Sequence, residues 1–68
     1  MDIRRRLARN LVRLRGERGW SQEQLADEAG LHRTYVSGIE RCVRNPTLLI
    51  VERLAKALKL APHTLLEP

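Results

Sequence analysis

Two short helices joined by a tight turn are predicted between Ser21 and Arg41, and this stretch constrains how the rest of the chain can fold. Ser21 is a favourable helix cap, because its hydroxyl can accept a hydrogen bond from the backbone N–H of Gln24, and the Gln24 side chain can bond the Ser21 N–H in return. Gly30 suits the left-handed conformation in which many helices end. The turn is too short for an antiparallel hairpin with a broad shared face.

The second helix of this pair restarts directly after the turn, with His32 or Arg33 at its beginning. Val36 and Ile39 lie three residues apart and give it one apolar edge. Helices this short cannot bury their own apolar faces, so other elements must hold their crossing angle. The pattern is typical of the helix-turn-helix motif, whose second helix enters the major groove of DNA.

Size and composition favour one small all-α domain covering residues 1–68. A chain of 68 residues supports a single core, and its aromatic residues are limited to Trp20 and Tyr35. A sandwich or a barrel would need more aromatic and β-branched residues. We therefore predict a compact bundle of five short helices, with the helix-turn-helix motif at about residues 21–41.

The other three predicted helices flank the motif. The first covers residues 2–18, with Asp2 as its cap, and its apolar face comprises Ile3, Leu7, Leu11 and Leu14, widened by Ala8 and Val12. The fourth covers about residues 48–59 and begins after Thr47, or after Asn45 with Pro46 at its first position. Its predicted inward stripe is Leu48, Val51, Leu54, Ala55 and Leu58. A last short helix begins at Pro62.

The charge balance is basic. Thirteen Lys and Arg residues against eight Asp and Glu residues give a net charge of +5. Most of the cations are arginines, whose planar fork matches phosphates and guanine edges. Such an excess suits nucleic acid, but it is also compatible with ordinary solubilising charge.

The sequence lacks the signals that are typical of other classes of protein. The single cysteine, Cys42, cannot form an internal disulfide, and His32 and His63 are too far apart for a credible metal site. We find no catalytic constellation, glycine-rich phosphate loop, membrane span or signal-peptide core. We therefore expect no enzyme, metal, cofactor, small-molecule substrate or membrane partner, and a cytoplasmic location.

The segment SQEQLADEAGLHRTYVSGIERCVRNPTL resembles the Cro/C1-type (XRE family) helix-turn-helix domain of phage repressors and small bacterial regulators. The shared features are Ser21-Gln22, the turn glycine, Glu40-Arg41, and Asn45-Pro46-Thr47 before a Leu/Ala helix. The likeness extends over essentially the whole chain. It implies a lambda repressor-like fold whose third helix reads double-stranded DNA.

The resemblance also implies roles for individual residues. The expected base readers are Arg33, Thr34, Ser37 and Gly38, and the expected phosphate contacts are Gln22, His32, Tyr35, Arg41, Arg44 and Asn45. Gly38 either allows close approach of the helix to DNA or is simply tolerated, and Tyr35 could instead pack against the core. Arg15 and Glu40 occupy the positions of a structural ion pair between the first and third helices.

Cys42 departs from the family, which often has glycine at this position. If its φ angle is positive, the strain costs on the order of 1 kcal/mol. Otherwise the local turn must differ from that of the family. A redox-sensing thiol beside Arg41 and Arg44 is a further interpretation.

These features together predict a homodimeric transcriptional regulator that binds a palindromic operator and has no built-in ligand sensor. The predicted dimer surface is Leu49, Ile50, Leu65 and Leu66. Restriction–modification controller proteins and prophage repressors both fit. The alternative is an antitoxin that binds DNA with one face and a toxin through Leu49 and Ile50. A protein partner would then be a toxin, or RNA polymerase for a regulator.

Overall fold

The computed structural model describes residues 2–68, which form four α-helices and a final 3-10 helix. The helices are α1 (Ile3–Glu17), α2 (Gln22–Ala29), α3 (Arg33–Glu40) and α4 (Leu48–Ala57), and the 3-10 helix is Pro62–Leu66. Within this range there is no strand. The predicted all-α class is confirmed, and the fifth element is a tighter and shorter helix than the α-helices before it.

Three of the four α-helices begin at side-chain caps that the sequence predicted. The Asp2 carboxylate accepts a hydrogen bond from the Arg4 N–H, and the Ser21 hydroxyl accepts one from Gln24 N at 3.1 Å. The Thr47 hydroxyl accepts one from Ile50 N at 3.2 Å. The predicted return bond from the Gln24 side chain to Ser21 is wrong, because that amide donates to the Glu28 carboxylate instead.

Leucine and alanine side chains from every element fill one core. Its members are Leu7, Leu11 and Leu14 from α1, Leu25, Ala26 and Ala29 from α2, Val36 and Ile39 from α3, Val51, Leu54 and Ala55 from α4, and then Leu58 and Leu65. The predicted core positions Ile3, Val12 and Leu48 are wrong, because all three are exposed. Ile3 and Leu48 lie in the first turns of their helices, beyond the elements that cover the core. Ile50, predicted to lie off the stripe, packs half-buried against the core.

The turn between α2 and α3 is held from outside by a side chain of α4. Gly30 has a φ of 69° and ends α2 in the predicted left-handed conformation. Arg53 donates hydrogen bonds from Nε to Ala29 O at 3.2 Å and from Nη2 to Gly30 O at 2.6 Å. These bonds satisfy carbonyls at the end of α2 and fix the turn relative to α4. The helix pair thus receives the external support that its short apolar faces require.

Two further side chains tie distant parts of the backbone together. Asn10 is buried in α1 and donates from Nδ2 to the carbonyls of Leu65 at 2.8 Å and Glu67 at 2.9 Å. Arg18 donates to Leu14 O at 2.9 Å and to Leu58 O at 2.7 Å. Both residues secure the C-terminal part of the chain against α1.

Candidate nucleic-acid interface

The exposed face of α3 carries polar side chains opposite its buried edge. Val36 and Ile39 are fully buried, whereas Arg33 and Thr34 are exposed. Ser37 lies between the two faces and is half-buried. Among residues 2–68, Arg33 forms no hydrogen bond and no ion pair, so its donors are available to a ligand.

A nearly buried ion pair fixes α3 to α1. Arg15 donates from Nε and Nη2 to the two carboxylate oxygens of Glu40, at 2.8 and 3.0 Å. The Glu40 side chain is 5% exposed and the Arg15 side chain 20%. The bond to Glu40 raises the pKa of Arg15 further above its ordinary value. This is the ion pair that the family resemblance implied, and it sets the orientation of α3 in the bundle.

Gln22 joins this ion pair from the start of α2. Its Nε2 donates to Glu40 Oε1 at 2.9 Å. One amide hydrogen of Gln22 is therefore used inside the protein, which leaves its second hydrogen and the backbone N–H groups of the first turn of α2 for any phosphate. An open cleft of about 480 Å³ lies at this point, lined by Arg15, Ser21, Gln22, Glu23 and Arg33. Two guanidinium groups beside a helix N-terminus favour an anion there.

Gly38, placed by the family resemblance among the base-reading positions, is buried in the structure. Arg44 from the loop after α3 lies over it: a Cβ atom at Gly38 would come 2.5 Å from Arg44 Cγ. The backbone N–H groups of Val43 and Arg44 donate to Gly38 O at 2.9 and 3.2 Å. The loop thus covers this side of α3, and Arg44 occupies the space where a reading side chain would project.

Tyr35 takes the second of the two roles that were left open for it, packing against the core, and its phosphate contact stays a prediction. It is half-buried and packs against the core. The guanidinium carbon of Arg44 lies 5.7 Å from the centre of its ring. The other predicted phosphate contacts, namely His32, Arg41, Arg44 and Asn45, are all exposed. His32 is the N-cap of α3, but its side chain makes no cap hydrogen bond.

Cys42 follows α3 with a φ of 62°, so the conformation that strains a residue with a Cβ is present. Its thiol is half-buried and donates to Arg4 O at 3.8 Å, which places the end of α3 beside the start of α1. Lys59, after α4, has a similar φ of 60°. This second strained position was not predicted.

The four residues of the predicted dimer surface differ in their exposure. Leu65 is 0% exposed and lies in the core, so it cannot contact a partner. Ile50 and Leu66 are half-buried, whereas Leu49 is 71% exposed. Leu48, which was predicted to point inward, is 83% exposed. A shallow groove of about 190 Å³ beside Leu48 is lined by Ile3, Arg4, Leu7, Asn45, Pro46, Leu48, Val51 and Leu66.

Arginines that bind backbone carbonyls were missed by the sequence analysis. Arg18 and Arg53 both donate hydrogen bonds to carbonyl oxygens at the ends of helices. Their partners are 40 and 24 residues away in sequence, so no local pattern identifies them. Asn10 did carry a signal, since it interrupts the apolar face of α1 between Leu7 and Leu14.

The part of the chain that the structure describes contains no group of three or more His, Cys, Asp or Glu side chains that could hold a metal ion. None of its helices is both long and apolar enough to cross a membrane.

Comparison with known proteins gives consistent matches. A family model described as "Helix-turn-helix" matches residues 11–65. A hypothetical transcription factor of Neisseria meningitidis serogroup B is 48% identical over 98% of this chain and 63% of its own length. Control protein C.SmaI of Serratia marcescens is 48% identical over 97% of this chain and 79% of its own length. The chain thus spans somewhat under two thirds of the first relative.

Solved structures share the fold. The crystal structure of the hypothetical transcription factor NHTF from Neisseria has a TM-score of 0.96 at 48% identity, covering 98% of this chain and 77% of that chain. The protein C.Esp1396I bound to a 19 base pair DNA duplex has a TM-score of 0.85 at 34% identity, covering 96% of this chain and 87% of that chain.

Proposed function

This chain belongs to the Cro/C1-type helix-turn-helix family, and we propose that it is a sequence-specific regulator of transcription that binds double-stranded DNA. The observation that carries the proposal is the two-sided character of α3. Its inner edge, Val36 and Ile39, is fully buried, while Arg33 and Thr34 stand exposed with the Arg33 donors unused among residues 2–68. A helix anchored in this way can present its outer face to a major groove.

Arg33 and Thr34 are the proposed base readers, assisted by Ser37. The guanidinium of Arg33 can donate two hydrogen bonds to O6 and N7 of a guanine, and Thr34 can bond a base edge or contact a thymine methyl. All three lie on the first turns of α3, which enter a groove first. The ion pair between Arg15 and Glu40 supports this reading surface by fixing the helix that carries it.

The proposed phosphate contacts surround this surface. The backbone N–H groups at the start of α2, with the remaining amide hydrogen of Gln22, would bind one phosphate beside Arg33. Exposed side chains at both ends of α3 would supply the others: His32, Arg41, Arg44 and Asn45, with Tyr35, whose ring lies near the Arg44 guanidinium. Such contacts position a protein on DNA without reading its sequence.

A homodimer on a palindromic operator completes the proposal. Leu48 and Leu49 form the exposed apolar part of α4, and Ile50 and Leu66 border it. Burial of this patch against a second copy would remove two leucines of each chain from water. Binding to successive major grooves would require the two α3 helices of the dimer to lie about 34 Å apart. DNA as partner also implies action in the cytoplasm.

Among regulators, the restriction–modification controller class is supported by the likeness to C.SmaI and to DNA-bound C.Esp1396I. No contact or surface in residues 2–68 favours the antitoxin alternative over this one. Neither RNA polymerase nor a toxin has an observation in its support.

The test is selection of binding sites from a random duplex pool, with the mass of the protein in solution measured alongside. We expect a palindromic site and a particle of about 16 kDa, twice the chain mass of 7.9 kDa. Recovery of sequences no better bound than the starting pool would contradict sequence-specific binding. A monomer at the concentrations that bind DNA would contradict the dimer.

A further inference from the structure

Gly38 lies under the side chain of Arg44, which comes from the loop after α3. A methyl group at position 38 would be 2.5 Å from Arg44 Cγ and 3.6 Å from Arg44 Cβ. The closer contact is far inside the van der Waals distance of two carbons, and it involves the base of the side chain, which cannot swing away as its mobile end can. Arg44 therefore keeps its place only while residue 38 has no side chain.

Two other contacts hold Arg44 in the same place. Its backbone N–H donates to Gly38 O at 3.2 Å, beside the 2.9 Å bond from Val43 N to the same oxygen. Its guanidinium carbon lies 5.7 Å from the centre of the Tyr35 ring, within the range of a cation–π contact. The backbone, the open space over Gly38 and the aromatic ring together form what we call the Arg44 seat.

We propose that Gly38 is a positioning residue, whose missing side chain lets Arg44 lie against α3 in an ordered conformation before DNA arrives. The loop then supplies a cation at the place where a reading side chain on the second turn of α3 would otherwise stand. An ordered side chain loses less conformational freedom on binding, so its contact with DNA is stronger than the same charge on a free side chain. This inference rests on the proposed function and deepens it.

A different role for Gly38 makes a different prediction. If glycine served only to let the helix backbone approach DNA closely, a methyl group there would weaken binding whether or not Arg44 were present. If glycine serves the Arg44 seat, the effects of Gly38→Ala and Arg44→Ala must be coupled. The double variant separates the two roles.

The first experiment examines the free protein, without DNA. We expect the Arg44 side-chain protons to show a ring-current shift from Tyr35 in the NMR spectrum of the natural protein. The shift should be lost in Gly38→Ala and Tyr35→Leu and kept in Gly16→Ala. Gly16 is the matched control, because it is a helical glycine whose added Cβ would meet nothing within 4 Å. Absence of the shift in the natural protein, or its survival in Gly38→Ala, would overturn the seat.

Thermal unfolding shows whether a methyl group at position 38 clashes with Arg44. Alanine favours a helix over glycine, so Gly16→Ala should raise Tm by about 4–8 °C. Gly38→Ala should gain less, because the clash with Arg44 offsets the preference. When Arg44 is also changed to alanine, Gly38→Ala should raise Tm as much as Gly16→Ala does. An equal gain in Gly38→Ala with Arg44 present would contradict the clash.

The second experiment measures binding to a random-sequence duplex and to the duplex recovered by selection. Gly38→Ala and Arg44→Ala should each weaken binding about fivefold, and the double variant should bind no worse than Arg44→Ala alone. Equal losses from Gly38→Ala with and without Arg44 would overturn the inference in favour of close approach. Failure of the natural protein to bind either duplex would overturn the proposed function and the DNA role of Arg44, while the ring-current shift would still show that the seat exists.

Discussion

Arg15 and Glu40 connect α1 to α3 through two parallel hydrogen bonds, 2.8 and 3.0 Å long, in a position where the Glu40 side chain is almost completely buried. The same carboxylate accepts a third bond from Gln22, so α1, α2 and α3 meet at one buried group. The orientation of the proposed reading helix therefore depends on a side chain that is itself out of reach of DNA.

Glu40→Ala should lower the free energy of unfolding by about 2–3 kcal/mol, because it leaves the guanidinium of Arg15 without its partner in a mostly buried site. Denaturant unfolding measures this loss, and a cycle with Arg15→Ala should give strong coupling. The exposed pair Arg13–Glu17 is the control, with coupling of about 0.3–0.5 kcal/mol expected. Equal coupling in the two cycles would contradict the structural role of Glu40.

Asn10→Leu should destabilise the protein by about 2–3 kcal/mol although it adds apolar surface to the core, because two carbonyls near the C-terminus lose their donor. Asn10→Asp should be at least as damaging, since a carboxylate of the same shape would face those carbonyl oxygens. Hydrogen exchange should show the 3-10 helix opening before α1 to α3. Unchanged protection of Leu65 and Leu66 would refute this.

Arg33→Ala should cost about 1–3 kcal/mol on the selected operator and much less on random DNA, because a bidentate base contact is lost together with one charge. Arg9→Ala removes the same charge from the exposed surface of α1 and serves as the control. Binding of each variant to both duplexes over a range of salt concentrations checks the expectation. Equal losses on the two duplexes would remove Arg33 as a base reader.

Cys42→Gly should stabilise the protein by about 1 kcal/mol, because the φ of 62° is unfavourable for a residue with a Cβ. Lys59→Gly should act in the same direction for the same reason. Gly30→Ala is the opposite case: its φ is 69°, and an added Cβ would lie 2.8 Å from Arg53 Nη2. Thermal unfolding of the three variants decides, and a destabilising Cys42→Gly would mean that the thiol contact outweighs the strain.

Leu49→Glu should convert the proposed dimer to a folded monomer, because this side chain is 71% exposed in the single chain. Leu65→Ala should instead lower stability by about 2–5 kcal/mol through a cavity in the core. Sedimentation and circular dichroism together distinguish loss of assembly from loss of fold. A Leu49→Glu protein that stays dimeric would place the interface elsewhere.

The sequence predicted what depends on neighbours along the chain. The caps at Asp2, Ser21 and Thr47 and the turn at Gly30 follow from local hydrogen bonding and backbone preference, so they could be located from the residues alone. The pairing of Arg15 with Glu40 came from the family resemblance. The roles of the individual DNA contacts remain predictions.

What was missed or wrong depends on where distant segments meet. Arg18 and Arg53 bind carbonyls of other helices, and a carbonyl carries no sequence signature. Leu48 was expected in the core and is exposed, whereas Leu65 was expected at the surface and is buried. Helical periodicity gives the faces of an element, but it does not tell which of its turns a neighbouring element covers. The position of Arg44 over Gly38 could not be predicted, because Arg44 belongs to a loop without a regular repeat.

Arg53 donates hydrogen bonds to the backbone carbonyl oxygens of Ala29 and Gly30 in the turn before α3, and every amino acid has such an oxygen. These hydrogen bonds from Arg53 therefore do not depend on which side chains lie on the outer face of α3. The proposed base readers Arg33 and Thr34 could therefore be replaced without a change in the angle of the helix. If α3 reads DNA as proposed, its sequence preference can change while the fold that supports it stays the same.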